Sequence, residues 1–277
     1  MPLSFFETQN RAAPDYPYLL KGKENLSCRS HFHQDIEITE VVSGEIIVVR
    51  DSQKLLIREG DLCIVMPEEI HSYLSLSESK VHVMKIHCQH SEERVDLSRL
   101  RVSRPISDGE ALGKRLRLIM EEIHQEDDVR RVGYGYAVNR LCATILQELV
   151  RSDLCQPRET SEQKRHAVSL TVLETVQDYI RAHYTEPISL ENSASACGLS
   201  VYYFAHLFKE ATGATFYNYL TAYRCDKATV LLTDRRNMID VALSCGFSDV
   251  RAFNRAFKRV YGQTPSEYRQ EIKKSRD

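Results

Sequence analysis

Two stretches of the chain, forty-nine residues apart, carry the same helical stripe, and this duplication constrains the fold more than any other feature. In the second stretch Phe253, Ala256, Phe257 and Val260 recur at i, i+3, i+4 and i+7, the spacing of one apolar helix face that must be buried. In the first, Phe204, Leu207, Phe208 and Ala211 hold the equivalent places. A second face of the later helix collects Arg251, Asn254, Arg255 and Lys258, and the earlier helix offers Tyr202, Ala205, His206 and Lys209 there. Asp249 stands where an N-cap belongs, Gly213 and Gly262 stand where each helix must stop, and Pro265 follows the second stop. Ala194 lies four residues before Gly198 and Ala242 four before Gly246. A short helix ending in glycine therefore precedes each stripe, which is the spacing of a helix-turn-helix.

With 277 residues, the chain can bury two separate cores. Its formal charge of -2 hides an asymmetry, because Arg235 to Arg276 holds ten Lys or Arg against four Asp or Glu. A basic C-terminal region in a nearly neutral chain points to a polyanion met by one region only. The eight cysteines, Cys28, Cys63, Cys88, Cys142, Cys155, Cys197, Cys225 and Cys245, include no CxxC pair. They read as buried thiols of a reducing cytoplasm. No apolar run approaches the ~18 residues that span a bilayer, and the N-terminus has no basic segment leading an apolar core, so a soluble, unexported protein is expected.

Residues 1 to about 25 read as irregular, with Pro2, Pro14 and Pro17 among the aromatics Phe5, Phe6, Tyr16 and Tyr18. From His31 to Cys88 the period changes to that of strands: IEITEVV, EIIVV, KLLI, LCIVM and KVHVMKIH, separated by turn residues such as Gly44, Gly60 and Pro67. Short Ile- and Val-rich strands at this spacing predict a small antiparallel barrel or sandwich, with a mouth suited to a small ligand. Helical periodicity returns between Ser107 and Ser152. Leu112, Leu116, Ile119, Met120 and Ile123 form one stripe, and Val138, Leu141, Cys142, Ile145 and Leu149 form another. These two helices can pack on the barrel, on each other or on a second copy. The polar run RSDLCQPRETSEQKRH, residues 151–166, reads as an interdomain linker.

The run His31-x-His33-x3-Glu37-x6-Gly44, followed by Gly60, Pro67 and His71, resembles the two motifs of the cupin superfamily over about sixty residues. Strand alternation puts His31 and His33 on one side, Glu37 two pleats further along it, and His71 on another strand. Three imidazoles and a carboxylate can hold a divalent transition metal, as they do in many cupins, or line a pocket for an organic effector, as in regulatory cupins. The interval from Pro67 to His71 is one residue shorter than in the metal-binding pattern and lacks its usual glycine, so the four are read as effector contacts, with no metal or other cofactor assigned.

The last 110 or so residues closely resemble the AraC/XylS family of transcription regulators. The resemblance rests on ISLENSASACGLSVYYFAHLFKEATG, on YRCDKATVLL with Arg224 and Ala228, and on CGFSDVRAFNRAFKRVYGQTPSEYR. A cupin-like sensor ahead of this domain is a common arrangement in that family. The fold class expected is α+β in two domains: an N-terminal cupin-like antiparallel β-barrel with helical linker, and an all-α domain with two helix-turn-helix motifs. The divisions expected are 1–105 for the sensor, 106–152 for a helical dimerisation segment, 153–166 for a linker and 167–277 for the DNA-binding domain.

The resemblance implies a one-component activator that is not an enzyme. Its partners are double-stranded promoter DNA, a small-molecule effector such as a sugar or related carbon source, RNA polymerase and a second copy of the chain, with no membrane. Tyr202, Ala205 and His206 in the first helix, and Val250, Arg251, Asn254 and Arg255 in the second, become the base-facing residues. Arg251 and Arg255 suit guanine and Asn254 suits adenine, while Lys209 and Lys258 suit phosphate. Ala205 offers only a methyl group and His206 replaces a common arginine, so most direct readout is expected from the second helix. An alternative of another class is a metal-dependent cupin enzyme fused to a DNA-targeting domain, with His31, His33, Glu37 and His71 as ligands. A receiver domain is excluded by the strand-after-strand pattern of 31–88.

Overall fold

A computed structural model describes residues 17–51, 53–87, 96–233 and 236–274 of the chain. The arm from Pro2 to Tyr16 and Cys88 lie outside the described residues. The chain divides into two compact units, one ending at His166 and the other beginning at Ala167.

The first unit begins with eight strands: β1 (Tyr18–Glu24), β2 (Cys28–His31), β3 (Asp35–Ser43), β4 (Glu45–Arg50), β5 (Gln53–Arg58), β6 (Leu62–Val65), β7 (His71–Ser75) and β8 (Lys80–His87). They form two four-stranded sheets, ordered β1-β8-β3-β6 and β2-β7-β4-β5, with every pairing antiparallel. The barrel read from the sequence is thus two sheets packed face to face rather than one closed ring. Val41, Val81 and Val83 of the first sheet and Ile46, Val48, Ile57 and Tyr73 of the second share the core between them.

The opposite face of the first sheet is also covered. Ile36, Ile38, Met84 and Ile86 pack against Leu116, Ile119 and Ile123 of α1 (Ala111–Val129), and against Leu141, Ile145 and Leu149 of α2 (Tyr134–Val150). Burial on both faces explains why β6, Leu62–Val65, is a continuous apolar run instead of a clean alternation. It also explains where the two helical stripes go: both are spent on this sheet and on each other. Gly44 makes the turn between the sheets possible. It sits at φ 75°, and a Cβ there would come 2.3 Å from the Glu78 carbonyl oxygen.

Two regions differ from the sequence expectation. Residues 18–24, expected to be irregular, form edge strand β1 along β8, because Leu19 and Leu20 each find an apolar partner layer. Within 153–166, expected to be linker, β10 (Cys155–Pro157) pairs with β9 (Leu100–Val102), and α3 (Thr160–His183) begins at Thr160. Arg158 in this run is buried and pairs with Asp51 and Glu69, while most of its other polar residues are exposed.

The second unit is helical: the later part of α3, then α4 (Leu190–Ala196), α5 (Val201–Thr212), α6 (Phe216–Leu231), α7 (Met238–Ser244), α8 (Val250–Tyr261) and α9 (Pro265–Lys274). Phe204 and Phe208 of α5 meet Phe216 in one aromatic cluster, and Tyr219 of α6 joins through Phe208. Phe253 and Phe257 of α8 pack with Val241, Ala242, Phe247, Tyr268 and Ile272 in another core. Each such buried ring stabilises its head by roughly 1.5–3 kcal/mol relative to exposure. The sixteen residues of α6 lie between the two heads in sequence and make a strut about 24 Å long at 1.5 Å per residue. No helix among the described residues is long and apolar enough to cross a membrane.

Candidate DNA interface and sensor cluster

Each candidate reading helix has its ends fixed locally. The Ser200 hydroxyl accepts from the Tyr203 amide at 3.3 Å, and the Asp249 carboxylate accepts from the Ala252 amide at 2.7 Å. That amide also holds the Asp249 carboxyl below its ordinary range, so the cap stays ionised. At the far ends Gly213 and Gly262 take left-handed backbone, and their amides bond to Lys209 and Lys258 carbonyls.

The side chains then divide by face. Phe204, Leu207, Phe208, Phe253, Ala256 and Phe257 are buried, whereas Tyr202, His206, Lys209, Arg251, Asn254, Arg255 and Lys258 are exposed. Ala205 and Val250 are half-buried beside them. Tyr202 is 84% exposed, so its ring does not pack against its own domain. The two heads differ in charge. His206 lies 3.7 Å from Glu210 on its own helix. By contrast, no ion pair joins Arg251, Arg255 or Lys258 to an acid among the described residues. The second helix thus presents three exposed cations outside salt-bridge distance of an acid, with Arg255 acting on Asp249 and Lys258 on Glu267 only through longer-range charge. The first presents one lysine beside a histidine near a carboxylate.

One cation near this face was missed in the sequence. Arg259, one helical turn beyond Arg255, joins it and Arg224 around an open groove of about 750 Å³. The i+4 spacing from Arg255 was the available signal. Arg224 acts within the domain instead, where its guanidinium donates to the Tyr184 carbonyl at 2.7 Å and the Glu186 carbonyl at 2.6 Å. Gly246 lies directly over it, so Arg224 ties the turn of the second head to the end of α3.

In the first unit His31, His33, Glu37 and His71 come together, with one ligand atom from each lying within 4.8 Å of the others. They do so by a different route from the one the alternation suggested. His31 ends β2 of one sheet, His33 lies in the connection, and Glu37 belongs to β3 of the other sheet. The turn between sheets, rather than one straight strand, makes them converge. His71 enters from β7, paired with His31.

The three imidazoles share one orientation. Nδ1 of His31 faces the Arg29 carbonyl at 2.9 Å, that of His33 the Asp35 carbonyl at 3.0 Å, and that of His71 the Glu69 carbonyl at 2.8 Å. A carbonyl oxygen only accepts, so each Nδ1 donates; Nε2 of His31 and His71 keeps a lone pair, whereas Nε2 of His33 donates to the Glu37 carboxylate. Nε2 of His33 lies 3.1 Å from Glu37 Oε2 and that of His71 3.8 Å from Oε1. Nε2 of His71 is buried with no hydrogen-bond partner.

Residues the sequence reading passed over complete the cluster. The Tyr73 hydroxyl donates to Glu37 Oε1 and accepts from Thr39 at 3.2 Å, and Lys85 Nζ lies 3.0 Å from Glu37 Oε2. Period-two counting would have found Lys85, since it shares its face of β8 with the buried Val81 and Val83. Burial alone would raise the Glu37 carboxyl, but Lys85, His33 and His71 outweigh it and hold it well below the usual range. Burial lowers His71 to about 3 and, helped by the charges of His71 and Lys85, holds His31 well below its ordinary value. Burial and Glu37 push the Tyr73 phenol well up. At neutral pH the cluster therefore holds an ionised carboxylate, an ammonium, neutral imidazoles at positions 31 and 71, and a protonated phenol.

This donor set suits a divalent transition metal. Inward Nε2 lone pairs on His31 and His71, Nδ1 protons fixed by carbonyls, and one ionised carboxylate are what imidazole-rich sites present. The side chains of His33, His71 and Glu37 are at most 8% exposed, so an ion held among them would be shielded from bulk water.

Comparison with known proteins gives the same two-part picture. The helix-turn-helix domain family matches residues 193–271 and the cupin domain family matches residues 21–87. The TetD protein of transposon Tn10 from Escherichia coli is 34% identical over 100 residues, covering 36% of this chain and 72% of that protein. The transcriptional regulator Rob of Salmonella typhimurium is 36% identical over 92 residues, covering 33% of this chain. The match spans only 32% of Rob's own length. The crystal structure of ToxT from Vibrio cholerae, solved with an unsaturated fatty acid bound, is similar with a TM-score of 0.51 at 15% identity. That likeness covers 91% of this chain and 93% of ToxT, and it speaks to fold alone.

Proposed function

Because the chain belongs to the AraC/XylS family of transcription regulators, we propose that it is a cytoplasmic one-component activator whose N-terminal unit senses a ligand and whose two reading helices address one promoter site. The observation that carries this reading is the face of α8, where Arg251, Asn254, Arg255 and Lys258 stand exposed above a fully buried aromatic stripe. Arg251 and Arg255 pair with guanine O6 and N7, Asn254 pairs with adenine, and Val250 meets a thymine methyl. Lys258 and Lys209 hold phosphates, and Tyr202, Ala205 and His206 place α5 in a neighbouring groove with less discrimination. The active form is a homodimer that contacts RNA polymerase.

In the sensor, the closure of the cluster and its fixed Nδ1 protons favour a divalent transition metal held by His31, His33, Glu37 and His71. Such an ion supplies a Lewis-acidic anchor for an oxygen ligand. The organic effector, a sugar or related carbon source, then binds beside these four residues rather than among them.

Selection of bound duplexes from a random library tests the DNA reading. The full chain is expected to enrich a site with two unlike half-elements about one helical turn, roughly 34 Å, apart. Enrichment of no sequence would overturn it.

A further inference from the structure

Glu37 and Lys85 are register partners on adjacent strands β3 and β8, with Nζ 3.0 Å from Oε2 and side chains 3% and 10% exposed. A lysine on this face is expensive, because Val81 and Val83 on the same side of β8 belong to the dry core between the sheets. Glu37 is the carboxylate that stabilises it there. The same carboxylate is the anionic member of the four-residue cluster, and Lys85 meets the same oxygen, Oε2, as His33 Nε2. An ammonium and a divalent ion cannot both occupy that side of one buried carboxylate without strong like-charge repulsion, since little water screens them.

We infer that Lys85 is a built-in cation that competes with a divalent metal for Glu37. This rests on reading the cluster as a metal site. The competition lowers the site's affinity and couples ion entry to a movement of the Lys85 side chain away from Oε2. A site of this kind fills and empties with the available metal, as a sensor requires, instead of holding a permanent structural ion. Tyr73, which meets the other carboxylate oxygen, keeps Glu37 oriented while Lys85 leaves.

The test uses the full chain after chelation, titrated calorimetrically with Co²⁺, with the visible spectrum of bound Co²⁺ as a second readout. Lys85→Met is expected to bind Co²⁺ about tenfold tighter than wild type, and Lys85→Arg, which keeps the charge, to stay near wild type. Equal or weaker binding by a folded Lys85→Met protein overturns the competition while leaving the metal reading intact. Absence of Co²⁺ binding in both wild type and Lys85→Met, with native circular dichroism, overturns the metal reading itself. Should Lys85→Met not fold, amine labelling of wild type decides: Lys85 is expected to react at least about fivefold faster with Co²⁺ present, because the displaced ammonium loses its buried partner. Unchanged labelling in protein that binds Co²⁺ overturns the competition.

Discussion

Arg158 and Glu69 form a buried ion pair, 2.8 Å apart, with side chains 4% and 2% exposed. The pair joins the residue immediately after β10, two positions ahead of α3, to the loop that presents His71, whose Nδ1 faces the Glu69 carbonyl. Arg50 approaches the same Glu69 carboxylate at 3.9 Å, and Arg158 also meets Asp51. The sensor cluster and the chain segment leaving the sensor thus share one buried charge network.

Breaking that network from one side leaves uncompensated charge in the core. Arg158→Met is expected to destabilise the first unit by ~3–5 kcal/mol, since Glu69 loses its closest cation. Chemical denaturation followed by a probe in the first unit measures it. A loss under ~1 kcal/mol would show the pair to be dispensable.

The network also sets an acid limb to stability. Burial would raise the Asp51 carboxyl, but His166 and Arg158 lower it to about 2. A folded value below the unfolded one means that the contribution is complete above the ordinary carboxylate range and is lost as pH falls toward 2. Its carboxylate is 28% exposed, so solvent weakens the effect. Thermal melts of wild type and Asp51→Asn should differ most above pH about 4 and converge as pH approaches about 2. A gap that widens on acidification contradicts this assignment.

In the second head the critical glycine is Gly246. At φ 79° a β-carbon there would lie 2.3 Å from the Tyr184 carbonyl oxygen and 2.9 Å from the Arg224 Nε. Gly246→Ala is expected to cost well over ~1 kcal/mol from backbone conformation alone, and to loosen the Arg224 tie as well. Amide exchange in α7 and α8 should quicken while α5 is unchanged. Equal quickening in both heads would mean that the tie does not isolate the second one.

The two heads were legible because their information is local. A stripe of Phe253, Ala256 and Phe257, a cap at Asp249 and a stop at Gly262 all fall within one short window, and a second copy repeats the pattern. The sensor was legible only in part. His31, His33, Glu37 and His71 announced themselves by spacing, and His71 does come from another strand. Yet His31, His33 and Glu37 were read along one strand, although the chain changes sheet between His31 and Glu37. Lys85, Tyr73 and Arg158 were not singled out, since their roles depend on partners distant in sequence that only the sheet register brings close. Edge strand β1 escaped for a similar reason: its partner β8 lies some sixty residues further along.

The central claim, that α8 carries most of the sequence choice, is tested most directly on the duplex enriched by selection, with affinities measured across a range of salt. Arg255→Ala is expected to lose ~1–3 kcal/mol and to relax preference at one base pair, whereas Lys258→Ala should weaken all sequences alike and reduce the salt slope by about 1. His206→Ala in α5 should change sequence preference less than Arg255→Ala does. If Arg255→Ala and Lys258→Ala both bind the selected site as wild type does, α8 does not read DNA.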